Sequence, residues 1–385
     1  MTPQQDLSPR PPCRAFDVSI VGIVGLPGRY GGFETLADQL TQRIADRMRL
    51  QVFCTSKGRG HSLGDSYMGA HLSYVGWDAN GWQSIVYDFV SLWRASPLSR
   101  TLLVLGVSGC LLLPLIRWHW PHLRIITNID GLEWKRRKWG RLARWVLHLS
   151  EWMAVRFSHE VIADNRAIQQ HVRQSYGRES RLIAYGGDHV VVHGEVATPA
   201  IRFAPGSYFL SICRIEPENN VREILRAFES TPDQKLVFVG NWNLSPYSRA
   251  VRMEFDGKSN IELLEPVYEP VCLAGLRRGA RAYVHGHSAG GTNPSLVEAM
   301  SMGMAVLAYD VVYNRHTTDS AAVYWSDSES LARLLSTLND ESLLRNAQSM
   351  ARLAAERYTW NYVAEQYRSL LCYPTVHDGV EKEAR

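Results

Sequence analysis

Short apolar runs alternate with helical periodicities along almost the whole chain, and the alternation breaks off and restarts once. In the first stretch the spacing predicts strands over 16–24, 50–54, 72–75, 102–105, 124–128, 160–163 and 181–185. Helical patterns lie between most of them, as in Phe33, Leu36, Ala37, Leu40 and Ile44. After a weaker stretch at 188–206, strands are predicted over 208–212, 236–239, 261–264, 282–285 and 305–309, with helices over 221–229, 271–279 and 294–302. Strand–helix alternation demands crossover connections, so each stretch reads as a parallel sheet covered on both faces. The expected fold class is α/β, with two doubly wound, Rossmann-like domains facing a central cleft. The boundaries read as a disordered lead-in over 1–15, an N-terminal domain over 16–190 and a linker over 191–206. A C-terminal domain follows over 207–356, then a helix over 357–373 that can return to the N-terminal domain, and a polar tail over 374–385.

Composition excludes several classes. Hydrophobic residues are 45% and charged residues 21% of the 385, a folding composition rather than a disordered or collagen-like one. The net charge of +4 is too small to imply nucleic acid unless it is clustered. The six cysteines are dispersed without metal-site spacing and read as free thiols in a reducing compartment. The opening MTPQQDLSPRPPCR has no apolar core and does not read as a signal peptide. The apolar segment 102–118 is interrupted by Gly106, Gly109 and Pro114, so a strand, a turn and a short helix suit it better than a membrane span.

Ligands of doubly wound sheets bind at the carboxyl ends of the strands, and polar motifs follow the predicted strands here. Gly25–Glu34 (GLPGRYGGFE) comes after the first. Gly28, Gly31 and Gly32 fit either a phosphate or sugar cradle or a tight turn into a helix. The spacing is not G-x-G-x-x-G and no acid follows the second strand, which disfavours a dehydrogenase. Asn128–Trp134 (NIDGLEW) places Asp130 and Glu133 at another strand end. Either carboxylate could orient or deprotonate a hydroxyl, or Asp130 could cap a helix. Lys135, Arg136, Arg137 and Lys138 open a basic, Trp-rich stretch reaching Arg156. It suits an anionic membrane surface, a solvated helix face or, least well, DNA. Arg214, in CRIEPENN, suits a diphosphate or an ordinary surface loop. In HGHSAGGTNPSLVE, a strand end runs through a Gly-rich loop to Asn293 and Pro294, an N-cap followed by a first helical residue, which favours an anion there. Glu298 lies more than one turn into that helix and could accept from sugar hydroxyls.

These motifs together resemble the retaining, GT-B-fold nucleotide-sugar glycosyltransferases of the large family four, and more narrowly the bacterial polysaccharide rhamnosyltransferases. GLPGRYGGFETLA, NIDGLEWKRRKWG, ADNRAIQQHV with AYGGD, CRIEPENN and HGHSAGGTNPSLVEAM carry the resemblance, in order over most of the chain. It implies that Gly31 and Gly32 lie near the donor diphosphate and acceptor, and that Arg214 pairs with the diphosphate. It also implies that Gly291, Thr292 and Asn293 contact phosphate or sugar, and that Glu298 binds the nucleotide ribose. Two departures stand out. Gly290 occupies the place of the first of two family glutamates, and Asn219 that of the usual lysine. The first suggests a 6-deoxy donor sugar; His287 could compensate for the second. Asp130 is the leading candidate to orient the acceptor hydroxyl, with Glu133 next.

The expected activity is transfer of a sugar, best L-rhamnose from dTDP-L-rhamnose, to a lipid-linked saccharide in cell-surface polysaccharide assembly. The expected place is the cytoplasm, peripherally on the inner face of the membrane. No D-x-D pair stands near a donor loop, so no metal or other cofactor is expected, and no nucleic-acid partner. The rival readings are a nucleotide-sugar epimerase of the same architecture and a non-catalytic sugar-nucleotide-binding partner.

Overall fold

The computed structural model describes residues 14–28, 31–57, 64–81, 83–135, 140–197 and 199–372. The lead-in, the tail, Arg136, Arg137 and Lys138 therefore lie largely or wholly outside the described residues. The first sheet contains β1 (Phe16–Val21), β2 (Leu50–Thr55), β3 (Ser66–Tyr67), β4 (Ala70–Val75), β5 (Ser99–Leu105), β6 (Arg124–Asn128), β7 (Glu160–Ala163) and β8 (Arg181–Leu182). Its order is β3-β4-β2-β1-β5-β6-β7-β8, parallel except for the antiparallel β3–β4 pair. The second contains β9 (Tyr208–Ile212), β10 (Lys235–Val239), β11 (Ile261–Leu264), β12 (Ala280–His285), β13 (Val306–Tyr309) and β14 (Val323–Trp325). It runs β11-β10-β9-β12-β13-β14, all parallel. The expected two-sheet α/β architecture is the observed one. The short strands β3 and β14 were not expected: each pairs with only two or three residues of a neighbour, too few to show a period of their own.

In both sheets the first strand is central and the order reverses beside it, between β1 and β5 and between β9 and β12. Those switch points leave crevices at the carboxyl ends of the strands. The runs that follow β1 and β12 are the two glycine-rich motifs.

The 102–118 segment resolves into the end of β5, a 3-10 turn at Cys110–Leu112 and a helix at Leu113–His119. Leu113 and Ile116 are buried, so its apolar character fills a core. Among the described residues no helix is long and apolar enough to cross a membrane.

One core joins the two halves. Leu36, Leu40 and Ile44 of the helix Gly32–Ile44 pack with Leu296, Val297 and Met300 of the helix Pro294–Ser301 and with Trp360, Val363 and Tyr367 of the final helix Trp360–Cys372. The final helix is thus a strap back onto the first domain. Arg124 Nη1 donates to Leu370 O (2.6 Å) and Asn128 Nδ2 to Tyr367 Oη (2.8 Å), fixing the strap beneath β6.

Candidate active site

The motifs converge where the carboxyl edges of the two sheets meet. A cavity of about 300 Å³ opens there. Leu132 and Lys135, beyond β6, form its first-domain wall. Pro217, Glu218 and Asn220, beyond β9, with Ser288–Gly290, beyond β12, and Tyr309 and Tyr313 form the other.

Close backbone approach holds the walls together. A Cβ on Gly131 would lie 2.5 Å from the Gly290 Cα, so two glycines meet across the cleft. Gly32 approaches the same region from β1: its Cβ position is 3.3 Å from Pro294 Cγ, at the start of the second domain's helix. Gly31 is the N-cap of its own helix, with φ 114°, a conformation that favours glycine. Of the two predicted glycines, Gly32 thus lies against the second domain, while neither lines the cavity.

Asp164, just after β7, makes a two-bond contact across the domains. Its Oδ2 accepts from the Thr292 amide (2.9 Å) and its carbonyl from the Thr292 hydroxyl (2.5 Å). Its neighbour Asn165 donates to Tyr313 O (3.1 Å) and Thr317 Oγ1 (3.2 Å) while its own Oδ1 caps the next helix by accepting from Ala167 (2.9 Å). Burial, and then the charge of nearby Asp130, push the Asp164 carboxyl well above the usual carboxylate range. Thr292 was expected to offer its donors to phosphate or sugar, but here its amide and hydroxyl are committed to Asp164. Gly291 lies against the same carboxyl, close enough that any Cβ would overlap it. Asn293 is the N-cap residue as expected, yet its side chain makes no cap bond and lies beside Gly290 instead.

Asn219 is buried and its Nδ2 donates to Arg214 O (2.7 Å), so it shapes the loop after β9. Arg214 itself is 41% exposed, with Nε 3.9 Å from Glu216, and does not line the cavity. Glu298 pairs with the buried guanidinium of Arg277, and its Oε1 is 3.7 Å from His189 Nε2. The ring of His287 stacks on His285 (4.5 Å, 11°). Burial drives His285 down to about 3, so it is neutral at working pH.

Asp130 sits at φ 57°, a left-handed turn in which its amide donates to Asn128 Oδ1 (3.1 Å). That tight turn sends the chain across the cleft edge to Gly131 and Leu132. Glu133 belongs to the 3-10 turn Glu133–Lys135, but its side chain lies outside the described residues, as do Arg136, Arg137 and Lys138. Lys135, grouped by sequence with those membrane candidates, lines the cavity instead.

Comparison with known proteins places this geometry. The family model described as "Glycosyl transferases group 1" matches residues 202–354, the half carrying β9 to β14. The second domain thus matches the group 1 glycosyl transferases, and the chain as a whole has the GT-B fold. A second family model, "Domain of unknown function (DUF1972)", matches residues 15–188, the half carrying β1 to β8. No curated protein matches the chain. Among solved structures, the chain is similar to sucrose-phosphate synthase from Thermosynechococcus elongatus (12% identity, 92% of this chain and 98% of that one, TM-score 0.73). It is similar as well to the catalytic domain of starch synthase IV from Arabidopsis thaliana bound to ADP and acarbose (12%, 93% and 99%, TM-score 0.69). A glycosyltransferase from Rickettsia africae ESF-5 aligns over 93% of this chain and 98% of its own at 10% identity, with a TM-score of 0.66. At these identities the likeness is one of fold.

Sequence reasoning did not assign roles to Asp164, Asn165, Gly131 or Glu218. The available signal was the Asp–Asn pair ending a strand before a helix, and a lone glycine after Asp130. Neither has a local pattern that names its partner across the cleft.

Proposed function

We propose that the glycosyltransferase moves L-rhamnose from dTDP-L-rhamnose to a lipid-linked saccharide at the inner face of the membrane, with retention of configuration and without a metal. The reading rests on the cavity. Leu132, Pro217, Ala289 and Gly290 give it an apolar or side-chain-free patch beside the polar Lys135, Glu218, Asn220 and Ser288, and that patch suits a sugar whose sixth carbon is a methyl group. A hexose with a free 6-hydroxyl needs a polar partner there.

In the transfer, the bond from the anomeric carbon to the diphosphate oxygen breaks and its electron pair leaves with the diphosphate. The acceptor oxygen bonds to the anomeric carbon, and its proton passes to the departing diphosphate. Fixed positive groups that stabilise the leaving charge carry most of the catalysis in such a step. Asp130 is the leading candidate to orient the acceptor hydroxyl, with Glu133 as the next.

The helix Arg141–Phe157 supports the membrane part of the reading. Its outward face carries Arg141, Trp145, His148, Trp152 and Arg156 at helical spacing, with Trp145 63% exposed. Aromatic rings with interleaved cations suit the interface of an anionic bilayer. Trp118, 78% exposed, extends from the adjacent helix on the same side of the sheet.

The test is a panel of dTDP-, UDP- and GDP-sugars in EDTA, read by thermal shift and by transfer to a lipid-linked glycan. A shift and transfer confined to dTDP-L-rhamnose is expected. Selective turnover of UDP-glucose, or activity lost to EDTA and restored by a divalent cation, would overturn the donor or the metal part.

A further inference from the structure

We infer that Lys135 is the cation that meets the donor diphosphate, reaching it from the domain opposite the one matched to the group 1 glycosyl transferases. The inference rests on the reading of the chain as a nucleotide-sugar enzyme.

Among the described residues lining the cavity, Lys135 is the only cation. Arg214, the sequence candidate for the diphosphate, leans toward Glu216 outside the lining. Asn219, at the place of the usual lysine, is buried and spends its amide on the Arg214 carbonyl. The second domain therefore lines the cavity with the loops after β9 and β12 and two tyrosines but with no described cationic side chain. A diphosphate carries at least two negative charges, and more as it leaves, so a point charge within reach lowers the barrier to its departure.

The position of Lys135 is built. Its amide donates to Leu132 O (2.9 Å), closing the turn that carries both residues to the cavity. Its Nζ lies 5.2 Å from the centre of the Trp134 ring. That indole is clamped: Nε1 donates to Glu151 Oε2 (3.0 Å) and the edge of His148 meets it at 4.7 Å. Glu151 is 1% exposed, and its other oxygen takes His171 Nε2 (2.8 Å) and the Tyr176 hydroxyl (2.6 Å). Three donors on one buried carboxylate, Trp134 from the 3-10 turn and His171 and Tyr176 from the helix Arg166–Tyr176, fix the platform under an otherwise exposed lysine. Because the lysine stands on the first domain and most of the lining on the second, the surround is complete only with the cleft closed. Donor binding and domain closure would then reinforce one another.

The experiment compares Lys135→Met and Lys135→Arg with the wild type. Binding of dTDP, UDP and GDP, and of thymidine, uridine and guanosine, is measured by calorimetry, together with donor KM and kcat. Lys135 is exposed, so both variants should keep the wild-type unfolding midpoint, which is checked first. Lys135→Met should weaken the preferred nucleoside diphosphate about ten- to a hundredfold, the range for a charge-assisted contact. It should leave the corresponding nucleoside unaffected, and Lys135→Arg should recover most of the loss. Binding to phosphatidylglycerol vesicles should not change. Unchanged diphosphate binding in Lys135→Met, or lost vesicle binding in its place, would overturn the inference and return Lys135 to the membrane surface. If the wild type itself binds none of the three diphosphates, the nucleotide-sugar reading fails, and that failure is seen before any variant is made.

Discussion

Gly291→Ala tests the joint between the domains. The φ of Gly291 is not in the left-handed region, so alanine adds no backbone strain of its own. Its Cβ would instead stand within 3.0 Å of both carboxyl oxygens and Cγ of Asp164, a separation that real Cβ atoms do not adopt. Either the carboxyl swings away or the domains part. Overpacking of a tight contact costs about 1–3 kcal/mol. If the carboxyl moves, the Thr292 amide loses its 2.9 Å acceptor in a buried setting, another ~1–3 kcal/mol. The single substitution should therefore cost about 2–6 kcal/mol. Asp164→Ala removes the obstacle, so Gly291→Ala in that background should cost under about 0.5 kcal/mol. The double-mutant cycle should then show a coupling of at least ~1.5 kcal/mol. Denaturant unfolding followed by tryptophan fluorescence reads the four proteins, and small-angle scattering reads whether the cleft opens. If the two substitutions add within about 0.5 kcal/mol, Asp164 does not rest on Gly291, and the closed arrangement described here is wrong.

Two further outcomes follow from buried carboxylates. The folded state holds the Asp164 proton more tightly than the unfolded chain, so its contribution is full below about pH 4 and is lost as the pH rises through the higher folded value. Asp164→Asn keeps an acceptor for Thr292 and should flatten the fall in stability between pH 4 and neutrality; an unchanged pH profile would refute the assignment. Glu151→Ala strands the Trp134, His171 and Tyr176 donors together and should cost about 3–5 kcal/mol, read by urea unfolding, with weaker nucleoside diphosphate binding from a loosened Lys135. A loss of stability with diphosphate affinity intact would separate the clamp from the lysine. Replacing Trp145 and Trp152 by Ser should lower the affinity for phosphatidylglycerol vesicles about tenfold or more and leave soluble nucleotide binding as it was; unaltered vesicle binding would make the face an ordinary solvated one.

Most of the secondary structure was legible in the chain. Strands 124–128, 160–163, 208–212 and 261–264 fall where the apolar runs place them, and the helix at 221–229 does as well. Each is decided by neighbours within a few residues, through side-chain periodicity and the turn residues at its ends. The two-domain parallel architecture follows from their order, because parallel strands need crossovers and crossovers bury both faces. The glycine-rich runs announced a site at the strand ends for the same reason.

Only the tertiary structure decided who faces whom there. Thr292 and Asp164 are 128 positions apart, and nothing near either residue encodes that the amide expected to meet a ligand meets a carboxylate from the other domain. Lys135 reads in sequence as the first of four basic residues, but the left-handed turn at Asp130 and the Glu151 clamp beneath Trp134 carry it to the cavity wall. Arg214 reads as a cavity residue, yet the loop held by Asn219 leaves it outside. Local propensity fixes the direction in which a chain runs for a turn or two. The position of a side chain across a cleft is set by the packing of two whole domains and the strap of the last helix, and that sum of long-range contacts leaves no periodic trace in the sequence.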